Sequence, residues 1–256
     1  MANEALVGLQ IVEGSLAVLR LQSPEKRNAL SPGLIDALRD ALHRIKASSE
    51  VRAAVIAGTP DGAFSAGADL RTVLDLDNDG IASYFENMAT LIWEVIDCPK
   101  PIVAAISGPA MGGGADLAVA CDFRVASPQA LFAFPGLSFG LVLGTQQLAR
   151  IIGPSKTKQL TLLGQRVNAQ EALSIGLVDF IADDPESTAI TLAKEASNRP
   201  PYAVDLAKKL LRPANGLEDV VGPVKTSVRH PNFVGQLRLY ASTRVKPNTP
   251  RLQQPQ

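Results

Sequence analysis

The chain has 256 residues, with 25 Lys plus Arg balancing 25 Asp plus Glu, enough for one large domain or two small ones. A net charge of zero points to neither nucleic acid nor an anionic membrane, and aromatics at 5% offer no base-stacking surface. Cys98 and Cys121 form no C-x-x-C pair, and there is neither a basic-then-apolar start nor an apolar run long enough for a bilayer. The expectation is a reduced, cytoplasmic protein with no membrane partner.

Residues 6–12 and 15–22 read as a hairpin turning at Glu13-Gly14. Ser31-Pro32 is a helix start, after which Leu34, Leu38, Leu42 and Ile45 recur at helical spacing. The apolar runs at 53–57 and 102–106 suit buried strands, and 81–96 between them reads as helix. Short strands are expected at 123–126 and 131–134. Helices follow over 145–152, 156–163, 169–175 (ending at Gly176), 186–198 and 202–212. Strands alternating with helices predict an α/β fold with a largely parallel sheet and a helical C-terminal region. The polar, proline-bearing tail from 241 to 256 is expected to be loosely ordered unless a partner subunit holds it.

Two glycine-centred segments carry the chemistry: FSAGADL at 64–70 and MGGGADLAVACD at 111–122. Gly112, Gly113 and Gly114 open an apolar helical run. The first N–H groups of a helix lack partners inside it and carry partial positive charge. Glycines let a ligand oxygen approach those groups with no Cβ in the way. Asp116, three residues past Gly113, faces the same side of the helix. Each segment follows a predicted parallel strand, so both lie at the sheet edge where ligands bind. The N–H groups of Ala66 and Gly113 are therefore expected to converge on one carbonyl oxygen, the recurring device for holding an oxyanion or enolate.

These residues resemble the enoyl-CoA hydratase/isomerase (crotonase) superfamily. The matching stretches are SPEKRNAL at 23–30, FSAGADL at 64–70, PIVAAISGPAMGGGADLAVACDFRVAS at 101–127 and NAQEALSIGLVD at 168–179, in the family's order. The resemblance implies a spiral of ββα units over 1–195 and a C-terminal helical region over 196–256 that assembles homotrimers or hexamers. It implies an acyl-CoA thioester as substrate, with no cofactor beyond the coenzyme A that the substrate carries, and no metal. The thioester carbonyl would be held by Ala66 and Gly113, with Gly67, Ala68, Asp69, Leu70, Gly112 and Gly136 lining the substrate. Lys26 and Arg27 would lie near the CoA nucleotide.

The departures from the family pattern bear on mechanism. Its hydratases deliver water with two glutamates. Aligned on MGGGADL, the first position here is Asp116, with a reach about 1.5 Å shorter. The second falls at Gly136, the following LVLGTQQL is about three residues shorter than in hydratases, and no carboxylate lies between Asp122 and Glu171. Asp116 is then the sole acid/base, and needs burial to lift its pKa toward neutrality. The alternative is a family member that binds CoA thioesters without turnover.

Two further patterns compete. Residues 75–86 fit the calcium-loop pattern, with Asp75, Asp77, Asp79 and Glu86 at ligand spacing and Gly80 at the turn. No second loop accompanies it, and in the family reading Asp79 is instead a helix N-cap. GLSFG at 136–140 is a literal G-x-S-x-G, with Ser138 as nucleophile and His230 in the chain order of a serine hydrolase. With only His43 and His230, no histidine-rich metal cluster forms. Trp93, Tyr84 and Phe85 share one helix, where core packing competes with a role in walling an acyl pocket.

Overall fold

The computed structural model describes residues 5–244. The chain opens with an antiparallel pair, β1 (Val7–Val12) and β2 (Leu16–Leu21), joined where Glu13 and Gly14 both take positive φ. Helix α1 (Pro32–Ala47) starts as expected: the Ser31 hydroxyl accepts the Leu34 N–H, and Pro32 occupies the position where a missing N–H costs nothing. Then come β3 (Ala53–Ala57), a short α2 (Leu70–Leu74), α3 (Asn78–Ile96), β4 (Ile102–Ile106), β5 (Ala110–Met111), α4 (Gly113–Ala120), β6 (Phe123–Ala126) and β7 (Leu131–Ala133). A 3-10 turn over Pro135–Phe139 leads to α5 (Thr145–Leu162), β8 (Val167–Asn168), α6 (Ala169–Ser174) and β9 (Phe180–Ile181). Four helices finish the described chain: α7 (Pro185–Ser197), α8 (Pro201–Leu211), α9 (Leu217–Val228) and α10 (Phe233–Ser242).

Six strands form one sheet in the order β1-β2-β3-β4-β6-β9, parallel except for the opening pair. A second sheet, β5-β7-β8, carries the start of the glycine-rich segment. Strands β3 and β4 are buried on both faces, which is why AAVIA and IVAAI are continuously apolar rather than alternating. Ala54, Ile56, Ile102, Ala104 and Ile106 face the main core with α1, α3 and α4. Ala53, Val55, Ala57, Val103 and Ala105 face a second cluster closed by Ala189 and Ala193 of α7.

Two helical features differ from expectation. Asp77, not Asp79, caps α3: its Oδ1 accepts the Gly80 N–H at 2.7 Å, and Asp79 lies in the first turn. The helices expected over 145–152 and 156–163 form α5, broken at Gly153 (φ 74°) ahead of Pro154. Helices α9 and α10 were not legible, because Gly222 and Pro223 interrupt the propensity of the first and the second is short. Their Val220, Val221, Val224, Phe233 and Leu237 enter the main core. No residue of α8 is buried, and Tyr202, Leu206 and Leu210 are 78%, 58% and 79% exposed at four-residue spacing. No described helix is long and apolar enough to cross a membrane. The expectation for the tail falls mostly on residues outside 5–244.

Candidate active site

The two glycine segments meet. Ser65 bridges Ala110, the Met111 N–H donates to Ser65 O at 2.9 Å, and the Gly112 N–H donates to Ala133 O at 2.8 Å. Gly67 (φ 80°) sits directly against the other segment: a Cβ there would stand 2.3 Å from Met111 O and 3.1 Å from the Gly113 nitrogen. Only glycine permits both that conformation and that approach. Asn28, fully buried, pins the 23–30 segment to the same place. Its Oδ1 accepts the Ser23 N–H at 2.9 Å, and its Nδ2 donates to Thr59 Oγ1 and Ala63 O at 3.1 and 3.0 Å. Its own carbonyl accepts from Ser65 Oγ at 2.7 Å.

The expected pair of donors needs one correction. The Ala66 N–H donates to Arg27 O at 2.9 Å, so it is already engaged. The left-handed turn at Gly67 then redirects the chain, and the Ala68 N–H has no acceptor among the described residues. Neither has the Gly113 N–H, which opens α4. The donors on this edge without an acceptor among the described residues are thus Gly113 and Ala68. The choice between two alanines two positions apart depends on a backbone turn that the sequence does not spell out.

Asp116 lies in the first turn of α4 and is 5% exposed. Its Oδ1 is buried with no hydrogen-bond partner among the described residues. Burial alone drives its pKa well above the ordinary carboxylate range. The carboxyl rests on Gly144 (φ 65°), the N-cap of α5, where a Cβ would stand 2.1 Å from Oδ1. Gly144 also lines a cavity of about 460 Å³, whose walls include Ile92, Ile96, Val142, Gln147 and Val220.

Gly136 leaves no space for a second acid. A Cβ there would stand 2.7 Å from Leu141 O, and Gly136 O in turn accepts the Leu141 N–H at 2.9 Å. The shortened loop after it folds back over the position.

The remaining predicted residues take supporting positions. Lys26 Nζ pairs with Asp69 Oδ2 at 3.1 Å, and Arg27 is exposed in the left-handed region at φ 53°. Asp69 caps α2, accepting from Thr72 N and Oγ1, and Leu70 is the first residue of that helix. Burial raises the Asp69 pKa, but the hydrogen bonds from Lys26 and Thr72 outweigh it and hold the carboxyl below its ordinary value. Tyr84 Oη donates to Leu30 O at 2.6 Å and accepts the Asp69 N–H at 3.0 Å, so it clamps the two segments together. Phe85 packs edge-on against Phe233, 5.7 Å between ring centres, and Trp93 lies under Arg212. All three are packing residues. Sequence reasoning missed Asn28, Gly144 and Gln147. Asn28 lay inside the 23–30 stretch, Gly144 was a glycine ahead of a helical run, and Gln147 carried no signal.

The competing patterns do not assemble. Asp75 ends α2 and Asp77 caps α3, so the 75–86 stretch is a helix–turn–helix junction, and no group of three metal-ligating side chains occurs among the described residues. Ser138 is exposed in the 3-10 turn, not on a strand-to-helix elbow. No hydrogen bond among the described residues joins it to His230, whose Nδ1 accepts the Asn232 N–H. Burial pushes the thiols of Cys98 and Cys121 up, the latter to about 12, so neither is a ready nucleophile.

A buried carboxyl on the helix that Gly113 opens, with the Gly113 and Ala68 N–H groups unengaged among the described residues, makes a site suited to carbonyl activation and proton transfer. The profile of the enoyl-CoA hydratase/isomerase family matches residues 12–220, and the chain belongs to that family. A homologue from Thermus thermophilus is 39% identical over 220 residues, 82% of this chain and 87% of its own. The short-chain-enoyl-CoA hydratase of Clostridium acetobutylicum is 33% identical over 205 residues, 78% of each chain. The crystal structure of an enoyl-CoA hydratase/isomerase from Mycobacterium paratuberculosis superposes with a TM-score of 0.80 at 28% identity, covering 92% of this chain and 98% of that one. The fold is the crotonase fold, and the protein is an acyl-CoA enzyme of this family.

Proposed function

We propose that this enzyme moves protons at the carbon adjacent to the thioester carbonyl of an enoyl-CoA, with Asp116 as its sole acid/base. The observation that carries the reading is the buried Asp116 carboxyl, unpaired by the protein and on the same helix start as the free Gly113 N–H. The Gly113 and Ala68 N–H groups donate to the thioester oxygen as it gains charge, Ala68 taking the place expected of Ala66. Removing one such donor typically costs about 3 kcal/mol of barrier. Burial brings the Asp116 pKa upward, which suits a group that must both take and return a proton. Lys26 and the exposed Arg27 border the entrance as candidates for the CoA phosphates. Coenzyme A enters and leaves with the substrate, and the enzyme works in the cytoplasm. The exposed apolar stripe of α8 supports self-association into trimers or hexamers.

The test is deuterium exchange at the α-carbon of a saturated acyl-CoA in D2O, read by mass spectrometry. Wild type gains mass and Asp116→Asn does not. Exchange that persists in the variant removes Asp116 from the mechanism. Gly136 favours a second reading, a thioester-binding protein without turnover, and acyl-CoA binding with no exchange would establish that one instead.

A further inference from the structure

Two buried side-chain atoms lack a partner among the described residues: Asp116 Oδ1 and Gln147 Oε1. Both are acceptors, the Asp116 carboxylate on α4 and the Gln147 amide in the first turn of α5. Asp116 Oδ1 is pressed onto the N-cap, Gly144, and Gln147 follows three residues later, on the same side of the helix. Gly144 and Gln147 also share the wall of the 460 Å³ cavity, whose other walls include Ile92, Ile96, Val142 and Val220. A buried acceptor left without a donor costs about 1–3 kcal/mol, and a molecule that brings two donors would satisfy both of these. Water brings two O–H groups and is held in proteins by two to four polar partners. The free N–H groups of the first turn of α5 add partial positive charge, which favours an oxygen gaining negative charge.

We infer that Gln147 and Asp116 together hold the water that this enzyme adds to an enoyl thioester, an amide serving where family hydratases use a second glutamate. The inference rests on the role proposed for Asp116. Gly136 is closed by the Leu141 carbonyl, and the shortened loop brings Gly144, three residues before Gln147, up to the acid. In the step, the water oxygen bonds to the β-carbon while one of its protons passes to the Asp116 carboxylate. Gln147 Oε1 keeps the other O–H in line. The double-bond electron pair becomes the enolate, held by the Gly113 and Ala68 N–H groups. Asp116 then returns the same proton to the α-carbon. One water is added and nothing is oxidised or reduced.

The experiment pairs two readouts on wild type, Gln147→Leu and Gln147→Glu: hydration of crotonoyl-CoA, and α-carbon deuterium exchange on butyryl-CoA. Misplacing the water should lower kcat for hydration in Gln147→Leu about 100-fold, with KM and exchange unchanged. Gln147→Glu, which keeps an acceptor, should restore hydration with an added limb in its pH profile. Gln147→Met repeats the test should the leucine variant melt early. Hydration at the wild-type rate in Gln147→Leu overturns the inference, as does equal loss of hydration and exchange. Exchange without hydration in wild type also overturns it and leaves the proposed role of Asp116 standing. Absence of both in wild type brings down that role as well.

Discussion

Gly144→Ala tests the contact on which the site rests. Gly144 adopts φ 65°, and an added Cβ would stand 2.1 Å from Asp116 Oδ1 and 2.7 Å from its Cγ. Ordinary contact begins near 3.4 Å, so the carboxyl or the start of α5 must retreat by about 1.3 Å. An alanine in the left-handed region costs a further 1–2 kcal/mol, roughly. For a chain of this size, that backbone term alone lowers Tm by about 2–8 °C. Misplacement of a reacting group by about 1 Å costs on the order of 100-fold in rate. Thermal melting and steady-state turnover of crotonoyl-CoA measure the two effects separately. A Gly144→Ala enzyme with wild-type kcat would refute the placement of Asp116, whatever its Tm.

Three other perturbations follow from the geometry. Asp116 has a raised folded-state pKa, so its protonated form stabilises the fold fully below the unfolded value of about 3.9, and that contribution is lost as pH rises through the folded pKa. The Tm of Asp116→Asn should therefore climb relative to wild type as pH increases from 4 upward; a pH-independent difference in differential scanning calorimetry contradicts the burial argument. Asn28→Ala removes the bonds to Ser23, Thr59 and Ala63, at about 1 kcal/mol each, and should lower Tm by about 6–12 °C. An unchanged melt would show that the 23–30 segment is held by other means. Leu206→Glu with Leu210→Glu on α8 should shift the protein to monomer in sedimentation velocity with its fold intact by circular dichroism, and an unaltered mass in solution would exclude that face from assembly.

The order of strands and helices was legible because burial writes itself into composition. AAVIA and IVAAI must be apolar on both faces of a covered sheet, and Leu34, Leu38, Leu42 and Ile45 must share one side of α1. The glycines at 67 and 112–114 likewise announced a backbone that comes close to something, and the position of Asp116 beside Gly113 follows from helical spacing alone. Other features depended on contacts between distant segments. Ala66 and Ala68 look equivalent in the chain, and only the turn at Gly67 and the Arg27 carbonyl decide which N–H is free. Asp77 rather than Asp79 caps α3 because its carboxylate reaches the Gly80 N–H. Gly136 reads as a missing acid, whereas the fold shows a position that Leu141 closes to any side chain. Gln147 gives no signal in sequence at all. The role inferred for it comes from the meeting of α4 and α5, where Asp116 rests on Gly144 and each of the two side chains has a buried oxygen without a partner among the described residues, and long-range packing of that kind has no local period to betray it.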